Sequence, residues 1–144
     1  MVKFPLKYEV QAESGEKVNE VWKCSSHNLA ALSCAVAPEF NGPGNHYTPE
    51  DFFGMTVLNC LIAVFKVVCD NKKEPFKTVR GKAILHMSLN QSNNTLFFSE
   101  LDLTLEVQGA SNPEAIKKLL EYSISVCPAC NSIKTSKTFH LQVS

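Results

Sequence analysis

Apolar and polar side chains alternate over residues 4–10, where Phe4, Leu6, Tyr8 and Val10 are separated by Pro5, Lys7 and Glu9. A period of two predicts a half-buried strand. Glu13, Ser14, Gly15 and Glu16 predict a turn. Residues 18–24 and 29–36 predict two more strands, joined by the polar run Ser25, Ser26, His27 and Asn28. The first third of the chain is therefore expected to form a small antiparallel meander. Residues 38–47 break the pattern, because Gly42, Pro43 and Gly44 do not fit regular structure.

The period then changes. Thr48 can cap a helix, Pro49 suits its first position, and Glu50 and Asp51 favour the positive end of the helix dipole. Thr48 and Asp51 have capping-box spacing. The helix is predicted to run to about residue 70, roughly 33 Å at 1.5 Å per residue. Val57, Leu58, Leu61, Ile62, Val64 and Phe65 cover most of its circumference. A helix apolar all round is expected to be buried all round. One chain of 144 residues would struggle to enclose it, so a homodimer is expected. Residues 52–69 also have nearly the length of a membrane span. Gly54, Thr56, Asn59 and Lys66 interrupt that stretch, which favours a buried central helix and no membrane contact.

Strand periodicity returns over residues 76–90, with Val79, Gly81, Ala83, Leu85, Met87 and Leu89 on one face. Gln91, Ser92, Asn93 and Asn94 turn the chain, and Leu101, Leu103, Leu105 and Val107 continue the alternation. Two long strands around a short polar turn predict a hairpin with one solvated face. Asn112, Pro113 and Glu114 start a second helix, with Ile116, Leu119, Leu120 and Ser123 as its buried stripe. Pro128 stops it, since the residue before proline is pushed out of the helical region. Phe139, Leu141 and Val143 mark a last strand. Strands, long helix, strands, helix, strand is an α+β order, expected to fold as one domain over residues 1–144 with an antiparallel sheet.

Composition narrows the functional classes. Fourteen basic and fourteen acidic residues cancel, so no charge excess points to nucleic acid or an anionic membrane. Residues 1–10 lack the apolar core of a secretory signal, and a cytoplasmic location is expected. Six cysteines are then free thiols for packing, metal binding or chemistry. Cys60 lies in the apolar helix, where a thiol is ordinarily a small hydrophobe whose pKa burial raises. Nucleophilic behaviour would need a cation or donor beside it. Cys127 precedes Pro128 and can cap a new short helix, whose positive end favours a thiolate. Cys127 and Cys130 have the spacing of a redox motif, but follow a helix rather than an early strand. No second close Cys or His pair completes a zinc site, so no metal and no cofactor are expected. Cys24, Cys34 and Cys69 are assigned to packing.

Two separated stretches resemble one family. Pro38, Glu39, Phe40, Asn41, Gly42, Pro43 and Gly44, followed by Thr48, Pro49, Glu50, Asp51, Phe52 and Phe53 and then Asn59 and Cys60, resemble the OsmC/Ohr proteins, the osmotically inducible and organic hydroperoxide resistance proteins. The run Cys127, Pro128, Ala129, Cys130, Asn131, Ser132 and Ile133 resembles the family's second cysteine segment, with Cys130 at a variable place. The resemblance implies an intertwined α+β homodimer and a thiol peroxidase for organic hydroperoxides or hydrogen peroxide. It implies that Cys60 becomes a sulfenic acid, that Cys127 resolves it as a disulfide, and that a dithiol such as a lipoylated protein restores both thiols. Glu50 matches the family's active-site glutamate. Ten residues on one helix separate Glu50 from Cys60 by about 15 Å, so Glu50 is expected to serve the Cys60 of a second subunit. The family's arginine from the N-terminal strands is missing, since Arg80 is the only arginine, and Lys23 is the candidate substitute. Lysine offers no planar fork, so the replacement is not equivalent. Two rival readings stay open. One is an altered family member binding a small apolar ligand at the dimer interface, and the other is a dithiol oxidoreductase using Cys127 and Cys130.

Overall fold

A computed structural model describes all residues, Met1–Ser144. The chain divides into two compact units, Met1–Phe52 and Phe53–Ser144.

In the first unit, β1 (Gln11–Glu13), β2 (Trp22–Ser25) and β3 (Leu32–Cys34) form an antiparallel meander with β2 in the centre. The meander is the predicted one, but its first strand is displaced. Residues 4–10 carry no strand, and Phe4 and Val10 are 80% and 77% exposed. Their alternation is real, yet no strand of this chain pairs with them, and an unpaired segment of that length does not hold a sheet conformation alone. A single 3-10 turn at Pro38–Phe40 opens the following loop. A Cβ on Gly42 would lie 1.6 Å from the Val36 carbonyl oxygen, so only glycine allows the backbone to fold back there.

Helix α1 (Pro49–Lys72) begins at the capping box read from the sequence. The Thr48 amide and hydroxyl both donate to Asp51 Oδ2, at 2.9 and 3.0 Å. The Asp51 amide donates back to Thr48 Oγ1 at 3.3 Å. In length and composition α1 could cross a membrane. Within this chain, however, it buries a single stripe rather than its whole circumference: Val57, Leu61, Phe65 and Cys69, one residue per turn. Val67, on another face, is 59% exposed. One small sheet and one further helix can cover only one side of a cylinder, so a single chain leaves the rest of α1 uncovered.

That sheet is built from β4 (Thr78–Asn90), β5 (Thr95–Gln108) and β6 (Ser136–Val143), with β5 central. The β4–β5 hairpin is antiparallel, with a register shift between His86 and Met87. β6 runs parallel to β5, so the sheet is mixed and not purely antiparallel as predicted. The return path through α2 (Pro113–Val126) and α3 (Pro128–Ser132) provides the long connection a parallel pair requires. Leu101, Leu103, Leu105 and Val107 of β5 are fully buried and share one core with the α1 stripe and with Ile116 and Leu120 of α2. Each such side chain contributes about 1.5–3 kcal/mol by leaving water. The rings of Phe65 and Phe76 stack at 5.1 Å, and those of Phe53 and Phe98 meet at 4.5 Å.

Candidate active site

The α2–α3 junction follows from a single residue. Pro128 forbids a helical conformation at Cys127, which adopts φ −70° and ψ 116°. α2 therefore stops at Val126, and α3 starts with Pro128 in its first turn. The Cys127 carbonyl accepts from the Asn131 amide at 3.0 Å, so Cys127 ends one helix and opens the next. Asn131 Nδ2 donates to the Ser125 carbonyl at 3.1 Å and ties α3 back to α2. This places the Cys127 sulfur in the core, fully buried.

Cys60 projects from α1 next to the buried stripe and is half-buried. Its thiol and that of Cys127 are near neighbours, close enough for each to influence the ionisation of the other. Burial pushes the Cys60 thiol up from its ordinary value. The Ala129 amide, aimed at its sulfur, opposes that rise, and the Cys127 thiol adds to it. Burial likewise pushes Cys127 up. The Cys130 amide opposes it, the Cys130 thiol adds to it, and the Cys60 thiol donates and lowers it. The Cys130 amide faces the Cys127 sulfur without closing a full capping hydrogen bond. Two first-turn amides of α3 thus point at the two sulfurs, and each would favour the thiolate over the thiol. Cys130 itself is buried against Cys127, so three thiols stand in sequence with Cys127 in the middle. The closeness of Cys130 to Cys127 is what the dithiol reading of the sequence requires, whereas the Ala129 amide was not singled out from the sequence. The capping spacing of Cys127 and Cys130, the same as that of Thr48 and Asp51, was the available signal.

The other two predicted residues lie in the first unit. Glu50 stands in the first turn of α1, and its Oε2 is buried without a hydrogen-bond partner. Lys23 is on β2 and donates from Nζ to Ser33 Oγ at 2.6 Å. Arg80 is exposed on β4, opposite Glu106.

A metal could be held by His86, Glu100 and Asp102, whose ligand atoms lie within 4.8 Å of one another on the sheet. They already satisfy one another and their neighbours: His86 Nε2 is 2.9 Å from Asp102 Oδ2, and Thr138 Oγ1 donates to Glu100 at 3.1 Å. A depression of about 680 Å³ lies further along α1, bordered by Lys66, Cys69, Asp70, Glu74 and Phe76. Its charged rim and the absence of Cys60 and Cys127 from its walls separate it from the thiol site.

A mixed α/β fold with two sheets, whose long helix and helix junction bring two thiols close together, defines a class of thiol-bearing proteins. The sequence matches the model of the OsmC-like protein family over residues 42–142, and the chain belongs to that family. Solved structures agree on the fold. An OsmC-like protein of unknown function from Vibrio cholerae superposes with a TM-score of 0.81 at 13% identity, covering 95% of this chain and 99% of that one. Organic hydroperoxide resistance proteins from Legionella pneumophila and Elizabethkingia anophelis give TM-scores of 0.74 and 0.76 at 21% and 19% identity, each covering 99% of both chains. No protein among curated sequences matches the chain.

Proposed function

We propose that this protein is a thiol peroxidase that reduces organic hydroperoxides or hydrogen peroxide. The observation that carries this reading is the proximity of the Cys60 and Cys127 thiols, with the Ala129 amide directed at Cys60. Cys60 is the more exposed of the two sulfurs and the one a substrate can approach. Its thiolate attacks the distal oxygen of the hydroperoxide. The O–O bond breaks, the alcohol leaves with a proton, and Cys60 becomes a sulfenic acid. The Cys127 sulfur then attacks the Cys60 sulfur, water leaves, and a disulfide closes. A dithiol reductant reverses this by exchange, taking the disulfide into itself and returning two protons and two electrons.

The dimer belongs to the same proposal. The open faces of α1 and the apolar residues of the N-terminal segment support a second copy of the chain as their cover. The orphaned Glu50 oxygen supports a donor that reaches it on assembly, with Lys23 of either copy as the candidate. In that arrangement Glu50 serves the thiol pair of the other subunit.

The test is hydroperoxide consumption with a dithiol reductant by wild type and by Cys60→Ser, Cys127→Ser and Cys130→Ser. Loss of turnover in the first two, with Cys130→Ser active, supports the peroxidase. Dependence on Cys130 but not Cys60 would establish a dithiol oxidoreductase instead, which the contact between Cys127 and Cys130 favours as the second reading. Absence of turnover in wild type would point to ligand binding.

A further inference from the structure

The proposed peroxidase leaves a second pair of thiols unused. Cys24 on β2 and Cys34 on β3 have their sulfurs 3.1 Å apart. The register pairs Cys24 with Leu32 and Trp22 with Cys34, so the two cysteines are diagonal neighbours on one face of the meander. A disulfide requires about 2.05 Å between the sulfurs, so closure needs a movement of roughly 1 Å. Diagonal partners are typically about 7–8 Å apart, beyond the roughly 4.4–6.8 Å a disulfide spans, so closure also needs a small backbone shift. β3 is a strand of three residues whose other side carries a single parallel bridge, Cys34 with Tyr47, where the Ala35 amide donates to the Tyr47 carbonyl at 2.9 Å, so the shift works against one bridge rather than a second ladder.

We propose that Cys24 and Cys34 form a second, reversible dithiol–disulfide couple that staples β2 to β3. The co-reactant is a low-molecular-weight disulfide of the glutathione type. The two sulfurs have different roles. Cys24 is half-buried and reachable, whereas Cys34 is 2% exposed. Burial, the hydrogen bond with Cys24 and its charge push Cys34 up to about 11, against the opposing pull of Lys23. Cys24 therefore reacts first. Its thiolate attacks one sulfur of the small disulfide, that S–S bond breaks, and one thiol leaves with the proton Cys24 gave up. Cys34 then attacks the Cys24 sulfur and passes its proton to the second leaving thiol. Two protein thiols lose two electrons and two protons, and the small disulfide gains both as two thiols. Neither Cys60 nor Cys127 takes part.

The experiment oxidises the folded full-length chain with glutathione disulfide, alkylates the remaining thiols, and cleaves after glutamate. Peptide 21–39 then carries Cys24 and Cys34 and no other cysteine. In wild type and in Cys60→Ser this peptide is expected to be two hydrogens lighter and free of alkyl groups, and to regain two alkyl groups after dithiothreitol. In Cys34→Ser, Cys24 is expected to accumulate as a stable glutathione adduct. Bridging is expected to be faster in the folded chain than in guanidinium. The proposal is overturned if both thiols of wild type stay open to alkylation, if wild type retains the glutathione adduct as Cys34→Ser does, or if folding confers no acceleration. The Cys60→Ser arm keeps this result independent of the peroxidase reading.

Discussion

The Cys60 thiol on α1 and the Cys127 thiol at the α2–α3 junction are near neighbours, although they come from opposite halves of the second unit. Neighbouring sulfurs need only a modest rearrangement to form a bond. One equivalent of organic hydroperoxide is therefore expected to convert wild type to a Cys60–Cys127 disulfide, detectable by peptide mapping. Cys60→Ser is expected to lose turnover by about 10³-fold or more, as loss of a covalent nucleophile does elsewhere. Cys127→Ser should consume one equivalent of peroxide and stop, with Cys60 trapped as a sulfenic acid.

The chemistry of Cys60 should depend steeply on pH. Its thiol is pushed above the ordinary 9.0, chiefly by burial, so the thiolate is a small fraction at neutral pH. Between pH 7 and 8.5 that fraction, and the rate of alkylation at Cys60, should rise about tenfold per unit. A plateau below pH 8 would reveal a cation beside the sulfur in the assembled protein, and Lys23→Ala and Glu50→Gln would then identify its source.

The capping box of α1 carries a separable share of stability. Thr48→Ala and Asp51→Ala should each cost about 1 kcal/mol in urea denaturation. Because Thr48 and Asp51 hydrogen-bond to each other three times, the double substitution should cost less than the two single costs added together.

These elements were legible because local chemistry decides them. Thr48 and Asp51 meet within one turn, Asn112 caps α2 by accepting from the Ala115 amide, and Pro128 acts on its own neighbour. The hairpin of β4 and β5 was equally plain, since Leu101, Leu103, Leu105 and Val107 alternate without a break. Of the site, Cys127 was marked by its place before Pro128, whereas Cys60 came from a family resemblance and not from periodicity, which treats a thiol on an apolar helix as packing. What stayed hidden is non-local. The parallel pairing of β6, the missing partner of residues 4–10 and the contact of Cys24 with Cys34 each depend on which strand lies beside which. A period of two reports only the faces of a strand, not its neighbour. The apolar circumference of α1 reported burial correctly on one side, and one chain alone cannot cover the rest.

Cys69 offers a test of the core that is independent of any activity. It lies at the end of the α1 stripe, 2% exposed. Burial, and then the charge of Glu74, push its thiol from 9.0 to about 11. The folded chain thus holds a proton that the unfolded chain releases at lower pH. Below pH 9 both states are protonated and the contribution to stability is complete. Between pH 9 and 11 the unfolded state ionises first, and stability falls as pH rises through the folded value. The loss should approach about 2–3 kcal/mol at the alkaline end. Other groups titrate in the same window, so the quantity to measure is the difference between wild type and Cys69→Ala in urea unfolding under reducing conditions. Wild type should lose its advantage progressively between pH 9 and 11. A difference that stays flat across that window would mean that the thiol reaches water in the folded state, and that the end of α1 is looser than its packing against β5 and Phe76 implies.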